Sequence, residues 1–244
     1  MISFRYQAQD HTLAAGDCWT APVAADTYQD IPDQELAALV RELQAGTPWR
    51  AAVAQRYAQT NPWMHQIATS PTRDLFFREN PPPAGAHVLD IGAGWGQLAL
   101  PLARQYEVTA VEPAPERMAF LWAAAAQEGV RSRLHGVRAD FLQLEWSTRF
   151  DLACCIGVLE WVPQFAPGDP RTVQREFLRR IQSCLQPTGQ LVLGIENRLG
   201  LKYLLGAPDD HFGEAGIAVY DDALATEKYR AATGRELRCF TYTR

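Results

Sequence analysis

The chain has 244 residues, 47% hydrophobic and 21% charged, with a formal net charge of −5. That length and composition suit one globular α/β domain with an appendage, and the acidic balance argues against a nucleic-acid partner. No apolar run reaches the about 18–20 residues of a membrane span, and the opening Met1-Ile-Ser-Phe-Arg-Tyr-Gln7 lacks the apolar core of a signal peptide, so a cytoplasmic location is expected.

Along the chain, residues 1–30 read as irregular and polar. Pro32 opens a helix through Gln44, with Asp33 and Glu35 in its first turn and Gly46 after it. A second helix follows Pro48, carrying Trp49, Val53 and Tyr57, and Asn61-Pro62 ends it. Trp63 to Glu79 reads as helical again, with an interruption at Pro71. Pro81-Pro82-Pro83 is a stiff spacer. It divides a helical front section, residues 1–84, from a second section, residues 85–244.

From His87 the rhythm changes. Val88–Ile91 reads as a strand, Gln97–Gln105 as a helix, Glu107–Val111 as a strand, and Pro115–Glu128 as an alanine-rich helix ended by Gly129. Leu134–Ala139 is a weaker strand and Phe150–Ile156 a strong one. Thr172–Leu185 is a helix, Gln186–Gly189 a turn and Gln190–Ile195 the next strand. Strand alternating with helix over short loops predicts an α/β fold with a doubly wound, mostly parallel sheet. In such sheets ligands sit at the carboxyl ends of the strands.

The cysteines are Cys18, Cys154, Cys155, Cys184 and Cys239. Their number is odd and no zinc-type pair spacing occurs, so buried free thiols in a reducing compartment are expected. Asp209, Asp210 and His211 form a polar cluster, but no second ligand set accompanies it, and no metal is assigned.

The chemistry centres on Val88-Leu-Asp-Ile-Gly-Ala-Gly-Trp-Gly96. Apolar residues lead into Asp90, and glycines follow at every second position. Glycine there gives a tight turn and removes a Cβ from the path of a ligand. The dinucleotide fingerprint spaces its glycines Gly-x-Gly-x-x-Gly, yet Gln97 stands at the third position here, and Trp95 crowds the helix N-terminus that a pyrophosphate needs. Glu112 ends the second strand, where an acid can accept both hydroxyls of a ribose. Asp140 follows the third strand beside Phe141. A carboxylate there can accept from an adenine amino group, and an aromatic can stack on the base. Acids without a phosphate-binding lysine suggest an adenosyl ligand that lacks phosphates.

The ordered series of the glycine segment, Val111-Glu-Pro113, Ala139-Asp-Phe141, Phe150-Asp-Leu-Ala-Cys-Cys-Ile-Gly-Val-Leu-Glu-Trp-Val162 and Gln186-Pro-Thr-Gly-Gln-Leu-Val-Leu193 resembles the class I S-adenosylmethionine-dependent methyltransferases over about residues 86–200. The resemblance implies a Rossmann-like sheet with an N-terminal helical extension and S-adenosyl-L-methionine as cofactor. By position in the motifs, Asp90, Gly92, Ala93 and Gly94 border the methionine part, Glu112 the ribose, Asp140 and Phe141 the adenine, and Ile156 and Gly157 the pocket floor. Front segments such as Tyr57, Trp63, Gln66 and Arg73 cap the cofactor in this family, and Arg73 is placed on the methionine carboxylate. Glu160 and His211 are the candidate general bases, and Trp161, Asn197, Arg198 and Asp210 the candidate substrate contacts.

The implied reaction is methyl transfer to an oxygen or nitrogen of a small-molecule or saccharide acceptor. Residues 194–211 resemble a segment of bacterial methyltransferases that accompany surface-polysaccharide machinery. The family continues past its fifth strand with a helix and a closing pair of strands. That helix is expected to start near Phe240, so the closing strands are expected to be missing and an additional domain or a longer polypeptide is considered. For each residue a plainer role stands alongside: a structural turn for the glycines, an exposed acid for Glu112, a capping acid for Glu160, a surface histidine for His211, a solvated turn for Asn197 and Arg198, and packing for Trp161 and the front aromatics. The competing functions are a non-catalytic methyltransferase-like domain that binds a protein partner, and a nicotinamide-dependent oxidoreductase, which the glycine spacing disfavours.

Overall fold

A computed structural model describes residues 1–21, 27, 28, 30–197, 199–208, 213, 215, 216 and 220–238. In chain order the elements are β1 (Ile2–Tyr6), β2 (Gln9–Leu13), β3 (Cys18–Thr20), α1 (Asp33–Gln44), α2 (Trp49–Tyr57), α3 (Pro62–Thr69), α4 (Leu75–Glu79), β4 (His87–Ile91), α5 (Ala99–Leu102), β5 (Glu107–Val111), α6 (Pro115–Gln127), β6 (Leu134–Arg138), β7 (Leu144–Trp146), β8 (Phe150–Ile156), α7 (Val162–Phe165), α8 (Pro170–Cys184), β9 (Leu185–Gly194), α9 (Leu201–Leu204) and α10 (Asp222–Thr233). A six-stranded sheet has the order β3-β6-β5-β4-β8-β9. The β3·β6, β6·β5 and β5·β4 pairs are parallel, as the alternation of strand and helix predicts. The compact units are Met1–Cys154 with Arg180–Val192, and Cys155–Arg179 with Leu193–Arg244.

The first residues are not irregular. In β1 the side chains of Ile2, Phe4 and Tyr6 are buried while Arg5 is exposed, the period-two pattern of a half-buried strand. β1 pairs antiparallel with β2 on one side and with β7 on the other, making a separate three-stranded sheet. The hairpin turns at Gln7 and Ala8, with φ of 47° and 63°. Two consecutive left-handed residues are the twist-matched hairpin turn, normally signalled by Asn-Gly or Gly-Gly. Neither residue carries that signal, so the hairpin was hidden. β3 then adds to the edge of the main sheet beside β6.

The front helices begin and end where their prolines, glycine and caps require. Pro32 and Pro48 precede α1 and α2, and the Asn61 side chain accepts from Met64 N at 3.1 Å to cap α3, with Pro62 in its first turn. Leu36, Leu39, Val40 and Leu43 form the buried stripe of α1. It packs on α6, whose Ala124 and Ala125 are fully buried and permit close approach. Gln127 at the end of α6 completes the join: its Oε1 accepts from Trp49 N at 2.7 Å and its Nε2 donates to Leu43 O and Thr47 O at 3.2 and 2.8 Å.

Two expected elements differ in extent. The helix expected over Gln97–Gln105 is only α5, because Pro101 lacks the N–H that would bond Gln97 O and its ring crowds that carbonyl. The turn expected at Gln186–Gly189 is the first part of a continuous β9. β9 ends the strand order, and an edge strand tolerates Pro187. A Cβ at Gly189 would lie 2.8 Å from Phe150 O, so glycine allows the close approach to β8.

In the second unit, Tyr203 and Ala225 form a small core with Tyr220 and Leu237 against it. The Arg238 guanidinium donates to Pro163 O and Ala166 O at 2.8 Å and to Gly168 O at 2.6 Å. The helix expected to start near Phe240 lies outside the described residues; before it, α10 is capped by Asp221, which accepts from Leu224 N, and closed by left-handed Gly234. Among the described residues no strand follows β9, and no helix is long and apolar enough to cross a membrane.

Gly96 carries a sharp demand. Its φ is +81°, and a Cβ would meet Leu121 Cδ1 at 2.5 Å and Leu100 Cγ at 3.0 Å. Gly96→Ala is expected to destabilise the fold by about 2–4 kcal/mol, combining a left-handed alanine with overpacking. A denaturant melt showing under about 0.5 kcal/mol of change, the level of a neutral surface substitution, would contradict this packing.

Candidate functional site

The glycine turn at the carboxyl end of β4 is fastened to the neighbouring strand. Gly92 N and Ala93 N both donate to Val111 O, at 2.8 and 3.1 Å. Gly92, Gly94 and Gly96 all have positive φ, which explains glycine at each second position. A Cβ at Gly94 would meet Gln97 Oε1 at 3.6 Å, an ordinary contact, so glycine is required there by its φ of +52° rather than by crowding.

Glu112, the residue after β5, reaches across to this turn. Its Oε2 accepts from Gly94 N at 2.8 Å and its Oε1 from Ala114 N at 2.9 Å. Only 4% of the residue is exposed. Burial pushes its carboxyl above the usual range, while Arg117 and the two amides work in the opposite direction. Each oxygen has a second lone pair, so the clamp leaves acceptor capacity for a further donor.

Asp90, the fourth residue of β4, is the second buried acid. Burial pushes its carboxyl up to about 7; the Ala99 amide opposes the shift and Glu112 adds to it. Its Oδ2 is buried with no hydrogen-bond partner among the described residues, an arrangement that costs stability unless something compensates it.

Three residues that sequence reasoning passed over complete this centre. Arg117 in the first turn of α6 forms a buried ion pair with Asp30. Its charge survives burial because Asp30 and Glu112 outweigh the lost hydration, and its guanidinium lies 4.9 Å from the Tyr28 ring centre. Asp30 also accepts from Trp95 Nε1 at 3.2 Å. The only sequence signal was position: an arginine in the helix turn directly after the strand-end acid.

Other expectations are redistributed. Trp95 does not crowd a helix N-terminus; its ring is 2% exposed and packs edge-on to Phe120 at 4.7 Å and Tyr57 at 6.2 Å. Tyr57 is therefore a core residue, whereas Trp63 and Gln66 are exposed. Arg73 is exposed on the turn between α3 and α4 and makes no ion pair or hydrogen bond among the described residues. Asp140 is half-buried, and its Oδ1 accepts from Leu142 N at 2.9 Å. Burial raises its carboxyl, with that amide opposing. Phe141 is 4% exposed.

Within the second unit, Gly157 N donates to Gly194 O at 2.9 Å, and Gly157 holds φ at +69°. Glu160 is buried, Trp161 half-buried. Asn197 organises its own turn, its Oδ1 accepting from Leu199 N at 2.9 Å and its carbonyl from Gly200 N at 2.8 Å. Arg198, Asp209, Asp210 and His211 lie outside the described residues, as does Cys239. Cys154, Cys155 and Cys184 are buried, but Cys18 is exposed on the edge strand β3.

Comparison with known proteins agrees with this geometry. A family model described as a methyltransferase domain matches residues 88–189. The ubiquinone biosynthesis O-methyltransferase of Xanthomonas axonopodis pv. citri is 32% identical over 157 residues, covering 64% of this chain and 62% of the relative. The protein of that name from Pseudomonas putida strain GB-1 is 30% identical over 166 residues, covering 64% of this chain and 67% of the relative. Among solved structures, the CcbJ methyltransferase from Streptomyces caelestis has 24% identity and a TM-score of 0.46, covering 57% of this chain and 53% of that one. The chain thus spans about 62% of the length of the first curated relatives it matches. The family model and the curated relatives, together with the glycine turn, the acids around it and the parallel sheet, place the chain in the class I S-adenosylmethionine-dependent methyltransferase family.

Proposed function

We propose that this protein binds S-adenosyl-L-methionine and transfers its methyl group to a hydroxyl oxygen of a small-molecule acceptor. The observation that carries the reading is the buried Asp90 carboxyl at the glycine turn. A fold has no structural reason to keep an acid whose Oδ2 lacks a partner; a cationic ligand at the turn gives it one. The relatives' name, ubiquinone biosynthesis O-methyltransferase, supports oxygen as the acceptor atom. A saccharide as that acceptor has its support in the resemblance of residues 194–211.

When bound, the cofactor supplies a methyl already activated on a sulfonium. The chain's task is to hold, align and exclude water. In this reading Asp90, Gly92, Ala93 and Gly94 hold the methionine end, Glu112 accepts from the ribose hydroxyls, and Asp140 and Phe141 hold the adenine. Ile156 and Gly157 keep the roles their motif implies, Arg73 is the proposed partner of the methionine carboxylate, and Arg117 is a further cation at the turn. As the new carbon–oxygen bond forms, the acceptor hydroxyl must lose its proton; Glu160 takes it, or His211. Trp161, Asn197, Arg198 and Asp210 are the proposed acceptor contacts.

Calorimetry should show S-adenosylmethionine binding to the wild type, weakened by roughly a hundredfold in Glu112→Ala, which loses charge-assisted hydrogen bonds of about 1.5–3 kcal/mol. Glu160→Gln should keep cofactor affinity but slow adenosylhomocysteine formation by about 10²-fold or more, read by mass spectrometry with an acceptor pool. No cofactor binding by the wild type would sink the reading and favour a non-catalytic, partner-binding domain.

Asp90 also sets a pH dependence. Its folded value of about 7 lies above the ordinary 3.8, so the folded state holds the proton more tightly than the unfolded chain. Stability from this group is complete below about pH 4 and declines as pH rises to about 7, a total on the order of 4 kcal/mol. Asp90→Asn should flatten that part of the profile in urea melts between pH 4 and 8, and an unchanged profile would refute the assignment.

A further inference from the structure

At the opposite end of the same strands lies a cluster unrelated to the glycine turn. His87 begins β4, Glu107 begins β5 and His135 is the second residue of β6. His87 pairs with Glu107 in register, and Thr109 with His135. Glu107 and Thr109 share a face because strand side chains alternate, so the parallel register puts all three side chains on one face. His87 Nε2 lies 2.6 Å and His135 Nε2 3.3 Å from the same oxygen, Oε2 of Glu107.

We propose that His87, Glu107 and His135 form a zinc-binding site that clamps the amino-terminal edge of the β4-β5-β6 sheet. The three ligand atoms lie within 4.8 Å of one another. Ligands about 2.0–2.1 Å from one tetrahedral zinc are about 3.3 Å apart, so closing the site needs side-chain movement of only about 1–2 Å. Two imidazoles and a carboxylate are a donor set that zinc accepts, with water in the fourth position.

The cluster is graded for entry and for rigidity. The His135 side chain is 0% exposed, His87 27% and Glu107 45%, so the carboxylate faces solvent and the deepest imidazole is held by the sheet. The His87 backbone N donates to Asp151 Oδ2 at 2.8 Å, which fixes the start of β4. Phe150 packs beside the His87 ring at 6.4 Å and covers the apolar side. From Glu107 to Glu112 the chain climbs about 16 Å at about 3.3 Å per residue, which places the ion well away from the cofactor site.

The test is metal binding by the full chain after chelator treatment. Zinc titration by calorimetry should give one ion per chain with micromolar or tighter affinity, and cobalt should give the intense visible bands of a low-coordinate His/carboxylate site. Glu107→Gln and His87→Gln, both at partly exposed positions, should each weaken binding at least about tenfold with unchanged circular dichroism, while His65→Gln should leave it intact. Absence of stoichiometric binding by the wild type, or binding unaffected by Glu107→Gln and His87→Gln, overturns the proposal and leaves a hydrogen-bonded trio.

Discussion

One buried carboxylate organises the first unit. Glu112 holds the Gly94 amide from the neighbouring strand and the Ala114 amide at the entry to α6. A buried charge of this kind is tolerable only when its lone pairs are used and a counter-charge is near. Both conditions are met in the main: each oxygen accepts from one amide and keeps one lone pair for a further donor, and Arg117 supplies the cation. Arg117 is in turn anchored by Asp30, which also accepts from Trp95. The glycine turn, the start of α6, the segment before α1 and the tryptophan within the turn itself therefore share one electrostatic centre.

Packing and chemistry divide the glycines between them. Gly96 faces Leu100 and Leu121 and has no room for a Cβ; it lets α6 lie close to the turn. Gly92 and Gly94 are needed for their left-handed backbone angles. Asp90 stands on the other side of the balance. It weakens the fold by keeping a carboxyl in a dry place, a pattern characteristic of sites where a ligand supplies the missing partner.

Much of the helical front and the central strands was legible from local signals. Proline before α1 and α2, Asn61-Pro62 at α3, Gly129 after α6 and the apolar runs of β4, β5 and β8 all act within a few residues. Where the reading failed, the deciding contact was distant or the local signal atypical. β1 alternates correctly, but Gln7-Ala8 is not a recognisable turn, and β7, its second partner, lies some 140 residues on. α5 is short because one proline outweighed an otherwise helical stretch. Arg117 carries no local signal beyond its place after the strand-end acid, and its ion pair with Asp30 exists only in the fold.

The sequence by itself determined the family-level chemistry: the alternating fold, a glycine turn behind an acid, a second acid at the next strand end, and no phosphate-binding pattern. These are local facts, set by backbone angles and by the position of a residue at a strand terminus. Only the tertiary structure decided which charges meet. Asp30 and Arg117 are far apart in the chain, and His87, Glu107 and His135 sit on three separate strands. Parallel pairing converts those separations into contacts of a few ångströms, and no spacing rule along one chain can register a contact that sheet order alone creates.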